Sequence, residues 1–141
     1  MDRLIGARTA MRGLRGVERL DRLIPAADGR VDSAMESRMR WRFIVAGLPR
    51  PTVQIVVGDP GRRWHKIDLG WEDLLLGVEF DGLEAHMTRQ QLADDRDRHN
   101  WLTERQWMLL HFTGVDVYRR HEAMVETVRR QMRRRRVIMA R

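Results

Sequence analysis

The sequence predicts one α/β domain, on two patterns and a length. Stretches with apolar residues at helical spacing alternate with short β-branched or apolar runs, in the order α-β-β-β-α-β-α. Two of those runs flank Glu72-Asp73 closely enough to form a β-hairpin. At 141 residues the chain makes a single domain that buries roughly two thirds of its unfolded surface, enough for a real core.

Taken in order, Leu14, Val17, Leu20, Leu23 and Ile24 are spaced for an amphipathic helix, and the stretch from Pro25 to Gly29 ends it as a linker. Ser33 starts the next helix, expected to run to about Ala46 and to stop at Gly47-Leu48-Pro49. The β-branched run from Thr52 to Val57 predicts a strand, and Asp59-Pro60-Gly61 a turn. Hairpin strands are expected at roughly Trp64 to Trp71 and Leu75 to Phe80. A polar helix from Thr88 to about Arg105 follows, opened by Thr88 and Gln91 as a capping box. Trp107 to Thr113 predicts the last strand. Glu122 to Arg136 predicts a closing helix, its stripe of Met124, Val125, Val128 and Met132 turned inward. The tryptophans at 41, 64, 71, 101 and 107 are read as core ahead of base-stacking platforms, although Trp64 and Trp71 flank the most polar strand.

The hairpin carries the chemistry. Taking Asp73-Leu74 as the centre of its turn sets Asp68 opposite Glu79 and Lys66 opposite Asp81. Residues of equal parity share a strand face, so acids and a lysine fall together on one face. Opposed like charges are destabilising unless something positive lies between them, and a divalent metal is the usual remedy. Asp68 and Glu79 also interrupt apolar runs, where Asp is disfavoured and an unpaired charge is expensive. Functional use accounts for both; for Asp68 a structural partner such as Lys66 or an arginine is the alternative. Lys66 is the only lysine among 27 basic residues, and a lysine in a charged site tunes its proton affinity as an arginine does not.

That constellation, preceded by Glu36 on a helix, resembles the PD-(D/E)xK nuclease superfamily, and more closely the very-short-patch-repair-like endonuclease domain of many bacterial proteins. The matching residues are Met35-Glu36-Ser37-Arg38, the stretch from Ala46 to Pro51, Ile67-Asp68-Leu69, and Val78-Glu79-Phe80-Asp81-Gly82 with His86 after it. They continue with the stretch from Asp95 to Asn100 and with Leu109-Leu110-His111-Phe112-Thr113, so the likeness covers about residues 32 to 128. It implies a restriction-endonuclease-like core, a central mixed four-stranded sheet flanked by helices.

The activity this resemblance implies is metal-assisted hydrolysis of a phosphodiester. Asp68, Glu79 and the backbone carbonyl of Phe80 would hold Mg²⁺ or Mn²⁺, which polarises the phosphate and lowers the pKa of a bound water. Glu36 would bind a second ion or orient that water, and Lys66 or His86 would stabilise transition-state charge. The superfamily places a lysine two positions after the second acid, where Asp81 stands; Lys66 would supply that cation from across the hairpin. Each residue has a plainer reading. Ser33 and Glu36 form a capping box by spacing alone. Asp81-Gly82 is also a turn signal, and His86 a loop histidine. Arg98 either clamps a phosphate or bridges Asp94 or Asp95.

Charge points the same way. The chain carries a net +7, and the arginines of residues 129 to 141, a segment with no acid, account for all of it. Arg129, Arg130, Arg133, Arg134, Arg135 and Arg136 are therefore read as non-specific phosphate contacts, with DNA as the expected partner; the alternative is a solvated helix end. The expected organisation is a helical arm and linker over 1–31, a nuclease-like core over 32–128 and a basic helix end or tail over 129–141. Relatives of this kind often follow a winged-helix domain of the AbiEi antitoxin type. A truncated, non-catalytic DNA-binding regulator is thus the second functional reading, with a homodimer or a targeting partner left open. The chain has no cysteine, which rules out disulfides and thiolate zinc sites. It also has no apolar run near the roughly 18 to 20 residues a membrane span needs and no signal-peptide apolar region, so a cytoplasmic protein without membrane contact is expected.

Overall fold

The computed structural model describes residues 6, 28–82 and 89–140. The N-terminal amphipathic stretch, His86 and Thr88 of the expected capping box lie outside them.

Helix α1 (Ala34–Val45) begins where Ser33 Oγ accepts the Glu36 N–H at 3.1 Å. It buries Met39 and Phe43, one turn apart. It stops because Gly47 adopts φ 76°, letting its N–H reach the Ile44 carbonyl and the Leu48 N–H reach that of Phe43. Strands β1 (Thr52–Gly58), β2 (Trp64–Trp71) and β3 (Leu76–Asp81) then run antiparallel in succession. Between β1 and β2 the Asp59 carboxylate accepts the Gly61 N–H, an Asx turn. Between β2 and β3 the chain makes a short 3₁₀ turn at Glu72–Leu74, closed by Leu75 at φ 45°. Helix α2 (Arg89–Glu104) crosses over to β4 (Met108–Thr113), which lies parallel to β3. The result is a mixed sheet of four strands in the order β1-β2-β3-β4, with helices on both faces.

One short helix was not expected from the sequence, and one expected helix runs further than its pattern indicated. Helix α3 (Gly114–Tyr118) is capped reciprocally by Thr113 and Asp116. Helix α4 (His121–Met139) reaches beyond the expected end and takes up nearly all of the basic segment. Its stripe of Met124, Val125, Val128 and Met132 packs with Met39, Phe43, Leu69, Leu76 and Val78 into the larger core. A smaller core on the other face joins Ile55 and Ile67 to Trp101 and Leu102 of α2 and to Trp107. Among the described residues no helix is long and apolar enough to cross a membrane.

One irregularity shapes the sheet. Val53 pairs with Leu69 and Ile55 with Ile67, yet Val53 and Leu69 belong to the larger core and Ile55 and Ile67 to the smaller. Gln54, at φ 52°, stands between the first members of these pairs and Asp68 between the second. Simple alternation keeps residues of one parity on one face; here both strands turn over at Gln54 and Asp68. Residues on either side of that point no longer share a face by parity, which corrects the expectation that Lys66 and Asp68 do.

Candidate functional site

The polar strand β3 alternates cleanly. Leu76, Val78 and Phe80 face the larger core, which leaves Gly77, Glu79 and Asp81 on the face that α2 covers. Parallel pairing aligns Glu79 with His111 of β4, and His111 Nδ1 lies 3.0 Å from Asp81 Oδ1 and 3.9 Å from Glu79 Oε2. From above, α2 lowers Arg98 onto the same spot. Its guanidinium donates to both carboxylate oxygens of Glu79 and, at 2.9 Å, to the Lys66 carbonyl, with Asp95 at 3.9 Å. Glu79 is buried at 6% exposure, and a charge so placed needs this partner.

Asp68 completes the group from β2. The hairpin register found is the one expected, with Leu69 opposite Val78 and Trp71 opposite Leu76. The ladder stops there, because the Asp68 carboxylate accepts the Phe80 N–H at 2.9 Å in place of a backbone carbonyl. Burial holds the Asp68 carboxyl above the ordinary aspartate range, and the Glu79 charge adds to this, while the Phe80 N–H, Arg98 and Lys66 pull it back. Asp68, Glu79, Asp81, Asp95, Arg98 and His111 line one open cavity of about 460 Å³.

Two expected members stand apart from that cavity. Glu36 is buried and accepts Gln54 Nε2 at 2.8 Å and the Asp32 N–H at 3.3 Å. It thus half-completes the cap and holds the side chain of Gln54, the residue whose backbone stands at φ 52°. Lys66 does not face Asp81. Its ammonium pairs with Asp32, a contact that raises its pKa, and its strand pairs with β1 at that point instead of β3. The cation beside Glu79 is Arg98, and the partner of Asp81 is His111. His111 was not proposed from sequence as a site residue, since only the parallel register of β3 with β4 brings it there.

The arginines of the basic segment lie along α4, where Arg135 and Arg129 are taken up by the fold and so depart from the expected phosphate contacts. Arg135 is buried and donates to the Leu74 and Gln106 carbonyls at 2.7 and 2.8 Å, fixing the hairpin turn to the approach of β4. Arg129 reaches the Ala46 carbonyl at 3.0 Å and shares Glu126 with Arg133. Arg130, Arg134 and Arg136 are exposed.

The chain is similar to known proteins over most of its length. It is 32% identical over 126 residues to two uncharacterized proteins from two strains of Mycobacterium tuberculosis. The match takes in 89% of the chain but only 46% of each relative, so the chain spans about half their length. No family profile and no solved structure matches it.

Proposed function

We propose that the chain is a metal-dependent nuclease domain of the PD-(D/E)xK type, hydrolysing a phosphodiester of DNA on a restriction-endonuclease-like core. The observation that carries this reading is Asp68 and Glu79 meeting in one cavity, on adjacent strands of a mixed sheet, with Phe80 between them and Arg98 above. The donor set suits a hard cation: two carboxylates, one desolvated and made less acidic by the other, which a divalent ion would relieve. Asp68, Glu79 and the Phe80 carbonyl would hold Mg²⁺ or Mn²⁺, which would polarise the phosphate and make a bound water acidic. Arg98 would orient a phosphate oxygen through its planar fork. His111, held by Asp81, stands beside the carboxylates with a ring nitrogen for the leaving or attacking oxygen. Exposed Arg130, Arg134 and Arg136 would add salt-sensitive affinity for the nucleic-acid backbone.

The second reading is a DNA-binding regulator that keeps the fold without cutting. Arg98 already neutralising Glu79, and Lys66 turned away to Asp32, favour it. The test is nicking of a supercoiled plasmid in Mg²⁺ or Mn²⁺. A nuclease nicks it, and Glu79→Gln abolishes nicking while DNA binding persists. A regulator binds the plasmid and leaves it intact, and cleavage that survives Glu79→Gln defeats the nuclease assignment.

A further inference from the structure

Arg98 holds Glu79 with two nitrogens while a third contact, to the Lys66 carbonyl, steadies it. This grip sits midway along α2. The helix is buried only through Trp101 and Leu102 near its C-terminal end, and charged contacts link its middle to the sheet: this grip and the pairing of Asp97 with Arg63, just before β2. A carboxylate offers about four acceptor sites, two of which Arg98 uses, and a guanidinium and a divalent cation on the same carboxylate repel each other. Arg98 is about a quarter exposed, at the wall of the open cavity, and Asp95 stands one turn away as a second acceptor.

We infer that Arg98 is a displaceable counter-ion, which yields Glu79 when a divalent cation binds there and is thereby freed to grip a phosphodiester. The inference rests on reading Asp68 and Glu79 as metal ligands. Before release, the arginine satisfies a buried carboxylate that would otherwise be unpaired. After release, its five donors match a phosphate in two-point geometry. Cation and nucleic acid then bind with positive coupling, and linkage makes the effect reciprocal: each strengthens the other by the same factor.

The experiment is calorimetric titration of Mn²⁺ into the full chain, alone and with a short DNA duplex, for wild type, Arg98→Gln, Arg98→Lys and Asp68→Asn. Without DNA, Arg98→Gln is expected to bind Mn²⁺ about tenfold more tightly than wild type, because the competitor is gone. In wild type the duplex tightens Mn²⁺ binding, and in Arg98→Gln that gain disappears. Circular dichroism checks folding; should Arg98→Gln fail to fold, Arg98→Lys, with one donor point in place of a fork, tightens Mn²⁺ binding by a smaller factor. Mn²⁺ affinity equal in wild type and the Arg98 variants, yet lost in Asp68→Asn, overturns the displacement and leaves the metal site standing. No Mn²⁺ binding by any variant overturns the metal reading and the displacement together.

Discussion

Replacing Glu79 by Gln removes one charge from the most enclosed ion pair of the site, and the structure sets the cost. Breaking a fully buried pair by deleting one partner costs about 3–5 kcal/mol, because the other charge is left uncompensated. Arg98 is 24% exposed and keeps the Lys66 carbonyl and a distant Asp95, so the penalty is discounted to about 1–3 kcal/mol. At about 2.1 cal/mol/K per residue, 141 residues unfold with an entropy of about 0.3 kcal/mol/K, so the melting temperature should fall by roughly 3–10 °C. Glu79→Gln, Arg98→Gln and the double variant close a cycle by thermal or urea denaturation. If the pair carries the cost, the double variant loses less than the two single losses combined, by about 1–3 kcal/mol. Strict additivity would refute the reasoning, since it would mean that neither charge depends on the other. The same numbers set a condition for the cleavage assay, which must run well below the melting point of Glu79→Gln.

Three further outcomes follow from the geometry. Asp68 titrates above its ordinary 3.8 because it is buried, so proton uptake stabilises the fold below that value and the gain is lost as pH rises through the folded pKa. Asp68→Asn, which keeps an acceptor for the Phe80 N–H, should therefore melt above wild type at pH 7 without metal, with the gap narrowing toward pH 4; a lower melt at pH 7 contradicts this. On α4, changing exposed Arg130, Arg134 and Arg136 to Gln should leave stability within about 0.5 kcal/mol and flatten the salt dependence of DNA binding. Arg135→Ala should instead cost about 2–4 kcal/mol through its two carbonyl bonds, measured by the same denaturation.

What the sequence made legible depended on how local the cause was. The hairpin register came out correctly because the turn from Glu72 to Leu75 is short and the residues beside it, Leu69 and Trp71 on one strand and Leu76 and Val78 on the other, are apolar and buried. The start and stop of α1 were equally visible, in Ser33 and Gly47. The turnover of β1 and β2 was not, since it hangs on Gln54 at positive φ, a residue that carries no such signal as Gly or Asn would. Lys66 was misplaced for the same reason: parity was carried through a point where the strands turn over. His111 depends on a parallel pairing made after a crossover through α2, and nothing near either strand encodes that register. Arg135 had a signal that went unused. The inward stripe Val125, Val128, Met132 lands next on position 135, so its spacing marks that arginine as inward among a run of outward ones. Thr113 and Asp116 spelled out the cap of α3 in the same way.

Asp68 ends a strand ladder with its side chain, and this ties two kinds of selection to one position. Only a short acceptor reaches the Phe80 N–H from there: Asn would serve the backbone as well as Asp, whereas Ala would leave a donor unmet and Glu would overreach it. A library screened for folding alone should consequently return Asn at this site at least as often as Asp. One screened for metal-dependent chemistry should return Asp only. Under the proposed metal role, sequence variation at position 68 thus works as a natural assay: lineages that retain the fold without that role should drift to Asn there first, while the rest of the hairpin stays as it is.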